Sequence, residues 1–164
     1  MSAEKKKQLG VLGLIVGLVV VLFGSLLFVG AVAGWFDDPK VVISEEDRCT
    51  EDCDKFVELD AAGYEDLVKA RKSFVVLVDQ DGCTTADRLR GYASDWAAET
   101  GVRVYRIMFS EVKESSLHDL VKYYPSFVVV DKGVVRGYLR ADSDEDAEMY
   151  NNYDTFKEWM GRYL

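Results

Sequence analysis

The stretch FVVLVDQDGCTTA, residues 74–86, decides how the rest of the sequence is interpreted. It opens with an apolar, largely β-branched run, which is typical of a buried strand. An Asp-Gly pair then predicts a turn, and the spacing of apolar side chains over residues 84–99 predicts an amphipathic helix. The sequence therefore predicts that Cys83 lies at an exposed corner where a strand passes into a helix.

The same alternation of short apolar runs and amphipathic segments continues on both sides of this corner. Strands are predicted at residues 56–59, 74–78, 102–109, 127–130 and 134–139, and helices at 64–70, 84–99, 115–122 and 153–163. Strands separated by helices predict parallel neighbours in one sheet, and the late hairpin adds antiparallel edge strands. We therefore expect an α/β domain over residues 55–164, with a central mixed sheet and helices on both faces.

Three motifs within this domain resemble the thioredoxin superfamily. Residues 74–86 resemble the central strand that runs into the redox-active Cys-x-x-Cys at a helix start. YYPSFVVV, residues 123–130, resembles the segment with the family's cis-proline, and DKGVVRGYL, residues 131–139, resembles its edge hairpin. The resemblance implies a thioredoxin-like fold. The segment before the cysteine lacks the tryptophan common in thioredoxins, and in this it is also similar to bacteriocin transport accessory proteins.

The resemblance also implies roles for individual positions. Cys83 corresponds to the nucleophilic cysteine, and Pro125 corresponds to the cis-proline beside it. A cis bond between Tyr124 and Pro125 would leave the preceding backbone free to pair with an extended substrate segment. Ala86 occupies the place of the resolving cysteine, so the second thiol of the motif is missing.

The predicted position of Cys83 favours a reactive thiol. A thiolate is the nucleophile in disulfide exchange, and unpaired N–H groups at a helix N-terminus stabilise its negative charge. The alternative is an inert, small apolar side chain. Asp79 and Asp81 would oppose thiolate formation by like-charge repulsion. Leu77 occupies the position at which ordinary thioredoxins have a buried acidic residue. The resemblance therefore does not imply proton transfer by a carboxylate.

Cys49 and Cys53 are the other two cysteines of the chain. Because Ala86 cannot attack a mixed disulfide, a second thiol has to come from elsewhere, and one of these cysteines could act as the resolving thiol. Alternatively, they form a local structural disulfide, which an oxidising compartment permits. A regular helix would hold an i,i+4 pair too far apart, so such a bridge requires a turn.

Two patterns that suggest metal ligands do not fit known metal sites. A zinc site from the three cysteines and His118 matches no structural zinc spacing. The acidic run at residues 142–146 begins like a calcium loop, but Ala147 and Tyr153 replace the glycine and glutamate that such a loop needs. We expect a solvated loop there, no metal site and no cofactor.

The N-terminal region predicts a membrane anchor. Residues 8–36 contain no charged side chain, and this run exceeds the ~20 residues that span a bilayer as a helix. Lysines precede the run and aspartates follow it, which places the N-terminus in the cytoplasm. We therefore expect a cytoplasmic tail (1–8), a transmembrane helix (9–36) and a juxtamembrane spacer (37–54) with one apolar triplet.

A cleaved signal peptide is the alternative, because residues 31–33 read Ala-Val-Ala, but its apolar region is typically only ~7 to 15 residues long. Both interpretations place the domain outside the cytoplasm. Two G-x-x-x-G spacings, at residues 13–17 and 30–34, are compatible with a homodimer of membrane helices.

Charge excludes one class of partner. The chain has a net charge of −9, and residues 1–36 carry +2 (three lysines, one glutamate), which leaves −11 on the remainder. Such a surface repels phosphate backbones, so nucleic acid is excluded. We expect a membrane-tethered thiol-disulfide exchange protein whose partners are cysteine-containing exported proteins or a redox partner protein. The alternative is a non-catalytic thioredoxin-like accessory module of an export system.

Overall fold

Five strands form one mixed sheet in the structure, a computed structural model that describes residues 39–164. The strands are β1 (Val57–Leu59), β2 (Phe74–Asp79), β3 (Val104–Met108), β4 (Ser126–Asp131) and β5 (Val134–Tyr138). Their order in the sheet is β1-β3-β2-β4-β5. Strand β3 is parallel to both β1 and β2, β4 is antiparallel to β2, and β5 is antiparallel to β4. This confirms the predicted mixed sheet and its late hairpin.

Residues 39–164 also form four α-helices and three short 3-10 turns. The helices are α1 (Ala61–Lys69), α2 (Thr84–Thr100), α3 (Phe109–Val112) and α4 (Tyr153–Met160). The 3-10 turns are Glu45–Asp47, Ser116–Asp119 and Ala147–Tyr150. The helix predicted at residues 115–122 is thus only a 3-10 turn. Neither α3 nor the 3-10 turn Ala147–Tyr150 was predicted, because such short segments do not show the periodic spacing of apolar residues that indicates a helix.

The sheet separates two apolar layers, which explains the uninterrupted apolar run of β2. Val75 and Leu77 face the layer beneath α2 and α4, while Phe74, Val76 and Val78 face the layer that contains α1. Side chains alternate between the two faces of a strand, so a central strand covered on both sides is apolar throughout. This confirms that helices cover both faces of the sheet.

The compact unit begins at Lys40, before the domain boundary expected at residue 55. Val41 and Ile43 are only 6% and 4% exposed, while Val42 between them is 78% exposed. The apolar triplet is therefore an extended segment that buries alternate side chains in the layer under α2 and α4. Backbone hydrogen bonds from Val41 to Tyr163 and from Arg103 to Asp47 fasten it to the domain.

The predicted tail and transmembrane helix, residues 1–8 and 9–36, lie outside the described residues. Within residues 39–164, none of the helices has the length and apolar character needed to cross a membrane.

Candidate thiol site

Cys83 caps the N-terminus of α2, as the sequence predicts. Its backbone is extended, with φ −106° and ψ 116°, and its carbonyl accepts the first helical hydrogen bond from Asp87 over 2.9 Å. Gly82 before it has a φ of 76°, the left-handed region that a glycine adopts freely, so the chain can turn sharply between β2 and α2. Cys83 is therefore a partly buried residue at the start of α2, next to the helical turn whose N–H groups have no partner within the helix, and its side chain makes no capping hydrogen bond.

Pro125 lies beside this corner because of the sheet register. Val78 near the end of β2 pairs with Ser126 at the start of β4, so the residue before Ser126 comes next to the loop that carries Cys83. The Tyr124–Pro125 bond is cis, as the resemblance implies. Pro125 is buried, whereas Tyr124 remains 41% exposed and packs its ring 4.9 Å from the ring of Phe109.

Cys83, Tyr124 and Pro125 line one open groove of about 470 Å³. The loop between β5 and α4 supplies most of the other lining residues, among them Ala141, Asp142, Ser143, Asp144, Ala147, Tyr150 and Asn151. The sequence predicted a solvated acidic loop at residues 142–146; the structure folds it into a wall of the groove.

Tyr150 joins this wall to the proline. Its side chain is buried, and its hydroxyl donates a hydrogen bond to the Pro125 carbonyl over 2.9 Å. Burial raises the pKa of the Tyr150 phenol, so the group remains a protonated donor. On the other side, Arg88 of α2 donates to the Tyr150 carbonyl and to the Asn151 side chain. Sequence analysis missed Tyr150, whose one signal was an aromatic residue inside an otherwise polar loop.

Asp79 ends β2 and is completely buried between two arginines. Arg90 contacts both of its carboxylate oxygens, at 2.8 and 3.0 Å, and Arg106 donates to it over 2.6 Å. Burial raises the pKa of Asp79, but the hydrogen bonds from Arg90, Arg106 and the Gln80 backbone outweigh it and hold that pKa below its ordinary 3.8. Asp79 is therefore an ionised anchor of the loop before Cys83.

The like-charge repulsion expected from Asp79 and Asp81 is offset by the same arginines. Arg106 also donates to Asp81 over 2.9 Å and lies 3.1 Å from Glu58. Each of the two aspartates close to Cys83 thus has a guanidinium partner, which the sequence did not reveal because Arg90 and Arg106 are remote in the chain. The network fastens the Asp81–Gly82 turn to α2 and β3.

Solved thioredoxins share this arrangement of strands and helices. Thioredoxin from Schistosoma mansoni has a TM-score of 0.52 and 13% identity, over 68% of this chain and 98% of that one. Thioredoxin from Fasciola hepatica has a TM-score of 0.52 and 18% identity, over 66% and 100%. Thioredoxin f from spinach chloroplast has a TM-score of 0.52 and 15% identity, over 76% and 97%.

The chain has a thioredoxin-like fold. At these identities the likeness shows the fold and not the activity. No protein-family model matches the chain, and no curated protein matches it.

Within this thioredoxin-like fold, Ala86 stands one helical turn after Cys83 and is fully buried. Cys83 is the only free cysteine in the part of the chain that the structure describes, which contains all three cysteines of the sequence. The site consequently has one thiol and no neighbouring thiol that could resolve a mixed disulfide.

Cys49 and Cys53 form a disulfide with a Cα–Cα distance of 5.4 Å. Asp52 between them has a φ of 53°, which provides the turn that such a bridge requires. The Cys49 amide donates to the Gly101 carbonyl at the C-terminal end of α2. Because α2 has 17 residues and rises ~1.5 Å per residue, about 25 Å separates this end from Cys83. The structure thus has the local disulfide and not the resolving arrangement.

Among residues 39–164, no three His, Cys, Asp or Glu side chains converge as metal ligands. His118 is exposed in the Ser116–Asp119 turn.

Proposed function

We propose that this chain is a membrane-tethered, single-thiol disulfide exchange protein that acts on extracytoplasmic cysteines through Cys83. One observation carries the proposal: Cys83, with a free thiol, occupies the N-cap position of α2 and lines the same groove as Tyr124 and the cis-proline Pro125. In this groove an extended substrate segment can lie beside the thiol with its backbone near Tyr124.

The exchange step needs no cofactor. The Cys83 thiolate attacks one sulfur of a substrate disulfide, a Cys83–substrate disulfide forms, and the other substrate sulfur leaves as a thiolate. A different thiol of the same substrate then attacks the substrate sulfur of the mixed disulfide and releases Cys83, whereas attack by the thiolate that left only restores the original disulfide. The net result is a rearranged disulfide with no change in redox state, so no outside oxidant or reductant is consumed.

Net reduction of a substrate requires a further thiol, because Ala86 replaces the internal one. A redox partner protein with two thiols would supply them: its first thiolate attacks the Cys83 sulfur and releases the substrate as a thiol, and its second thiolate then attacks the Cys83–partner disulfide, which frees Cys83 and leaves the partner oxidised. Cysteine-containing exported proteins and such a redox protein are the two partner classes of this mechanism.

The uncharged run of residues 8–36 supports the tether, and the lysines before it support an orientation with the domain outside. Its G-x-x-x-G spacings support a homodimer through the membrane helix. A retained anchor would keep Cys83 close to proteins that emerge from export.

Thiol labelling of the full chain in intact cells tests topology and reactivity together. We expect a membrane-impermeant maleimide to label the wild-type chain in the membrane fraction and to leave the Cys83→Ser variant unlabelled. Mixed disulfides with exported proteins should appear on non-reducing gels of wild-type cells and vanish in the same variant. Labelling only after the cells are opened would refute the extracytoplasmic location.

A non-catalytic accessory module is the second candidate, and the buried Ala86 favours it, because the usual two-thiol chemistry is lost. On this hypothesis, the Cys83→Ser variant would retain full function in vivo and bind the same partners. Loss of function with retained binding would decide for exchange.

A further inference from the structure

The loop between β5 and α4 gives the groove an acidic wall, and we propose that this wall selects substrates in which lysine or arginine flanks the reacting cysteine. This inference rests on the exchange function proposed for Cys83. Asp142 and Asp144 line the same groove as Cys83, so a substrate cysteine that reaches the thiol places its neighbouring residues beside these carboxylates.

The four acidic residues at positions 142–146 fall into two groups. Glu145 and Asp146 face Arg140, at 2.8 and 3.5 Å, and Asp146 also accepts the Arg140 backbone N–H over 2.7 Å. Asp142 and Asp144 have no ion-pair partner among residues 39–164. The two carboxylates that line the groove are therefore the uncompensated ones, and this arrangement favours a positively charged ligand.

The cations near the groove do not cancel this charge. Arg90 and Arg106 are occupied by Asp79, which lies beneath the loop that carries Cys83. Arg88 remains, with its guanidinium fixed on the Tyr150 carbonyl and the Asn151 side chain at the edge of the wall. The residues that line the groove therefore include two carboxylates and no lysine or arginine; Lys122 and Arg140 border a neighbouring cleft together with Asp142.

The wall is held in place before any substrate arrives. The Tyr150 hydroxyl in the wall donates a hydrogen bond to the Pro125 carbonyl, and Arg88 of α2 donates one to the Tyr150 carbonyl. Arg140 donates a hydrogen bond to the Ser143 hydroxyl over 2.9 Å. A preorganised acidic surface loses little conformational freedom when a cation binds.

Tyr124 offers a second contact for the same kind of side chain. Tyr124 lines the groove and is 41% exposed, so a lysine or arginine of a substrate could contact its ring by a cation–π interaction. A volume of about 470 Å³ leaves room for a cysteine and a few neighbouring side chains. The substrate class that fits is an extended, basic segment around a cysteine.

Peptide disulfides that differ only in the residues flanking one cysteine test this inference. Each peptide carries a nitrothiobenzoate group on its cysteine, and attack by Cys83 forms the Cys83–peptide disulfide and releases the coloured nitrothiobenzoate anion. With the full chain in detergent at low salt, we expect lysine-flanked peptides to react on the order of tenfold faster than glutamate-flanked ones, with glycine-flanked peptides between them. Added salt should reduce this ratio.

Substitutions in the loop test whether Asp142 and Asp144 cause the preference for lysine-flanked peptides. Asp142→Asn combined with Asp144→Asn should bring the lysine-to-glutamate ratio close to one. A control with the same charge change, Asp66→Asn combined with Glu158→Gln, alters two exposed acids that do not line the groove and should leave the ratio unchanged. Equal rates for all wild-type peptides, with release still dependent on Cys83, would overturn the inference and leave the exchange function intact.

A binding measurement keeps the inference testable if no exchange occurs. Fluorescence polarisation measures the binding of peptides in which serine replaces the cysteine to the full-length Cys83→Ala chain. Because neither molecule has a reacting thiol, this signal reports binding in the groove alone. Tighter binding of the lysine-flanked peptide, lost in Asp142→Asn with Asp144→Asn, would support the acidic wall. Equal binding of lysine- and glutamate-flanked peptides would overturn it.

Discussion

The Tyr150 hydroxyl donates a hydrogen bond to the Pro125 carbonyl over 2.9 Å, and both groups are buried. This bond joins the loop that follows β5 to the segment that precedes β4. The two sides of the groove beside Cys83 are thereby parts of one hydrogen-bonded structure.

Replacing Tyr150 with phenylalanine should release the wall from the proline. The buried Pro125 carbonyl would lose its partner, and we expect the free energy of unfolding to fall by about 1–2 kcal/mol. Urea denaturation measures this change. Tyr153→Phe is the control, because its hydroxyl bonds to the exposed Glu99 at 3.0 Å and its loss should cost under about 0.5 kcal/mol. Equal losses in the two variants would contradict the role of Tyr150.

Asp79→Asn should change how stability depends on pH. The pKa of Asp79 is lowered in the folded state, so its carboxylate contributes stability that is fully present above pH 3.8 and is lost as the pH falls through the lower, folded-state value. We expect the variant to lose about 1–3 kcal/mol at neutral pH and to show a flatter decline below pH 3.8.

Unfolding at a series of pH values checks this prediction. Asp87→Asn is the matched control, since Asp87 lies 2.8 Å from the same Arg90 but is exposed, and we expect a cost below about 1 kcal/mol. Parallel pH curves for wild type and Asp79→Asn would show that the buried carboxylate does not have a lowered pKa.

Removing the Cys49–Cys53 disulfide should affect stability and leave exchange unchanged. A short closed loop of this kind contributes about 2 kcal/mol in the chain-entropy model. We expect the Cys49→Ser, Cys53→Ser double variant to unfold at lower denaturant and to release nitrothiobenzoate from the peptides within about twofold of the wild-type rate, because the bridge lies at the far end of α2. A Cys83–peptide disulfide that the wild-type chain resolves but that persists in the double variant would restore the resolving role for these cysteines.

Ala86→Cys should supply the internal thiol that the site lacks. Position 86 is one helical turn from Cys83, so its thiol can attack a Cys83–peptide disulfide and release the peptide. We expect the lifetime of the trapped mixed disulfide to fall at least about tenfold, since an intramolecular attack has a high effective concentration. Mass spectrometry of acid-quenched samples follows the adduct.

Ala93→Cys provides the comparison for that experiment. Ala93 is fully buried in the same helix, ten positions from Cys83 and about 15 Å along the axis. A thiol there should not shorten the lifetime of the adduct. Similar lifetimes in the two variants would mean that position 86 does not reach Cys83.

The sequence by itself determined the succession of the five strands along the chain, the helices α1, α2 and α4, and the place of Cys83. The apolar run of β2 and the Asp-Gly turn are local signals, and the period of two or 3.6 residues is set by backbone geometry alone. The resemblance of residues 123–130 to a cis-proline segment located Pro125, and the missing thiol at Ala86 could be read directly.

Only the tertiary structure decided which remote groups meet at this corner. The arginines that neutralise Asp79 come from α2 and β3, and the acidic wall comes from a loop that has no periodic pattern. Two further features likewise depended on what packs against the end of α2. One is the burial of Val41, and the other is whether Cys49 forms a disulfide with Cys53 or acts as a resolving thiol. Contacts between distant segments follow from the packing of whole elements, and a local pattern of residue types does not specify them.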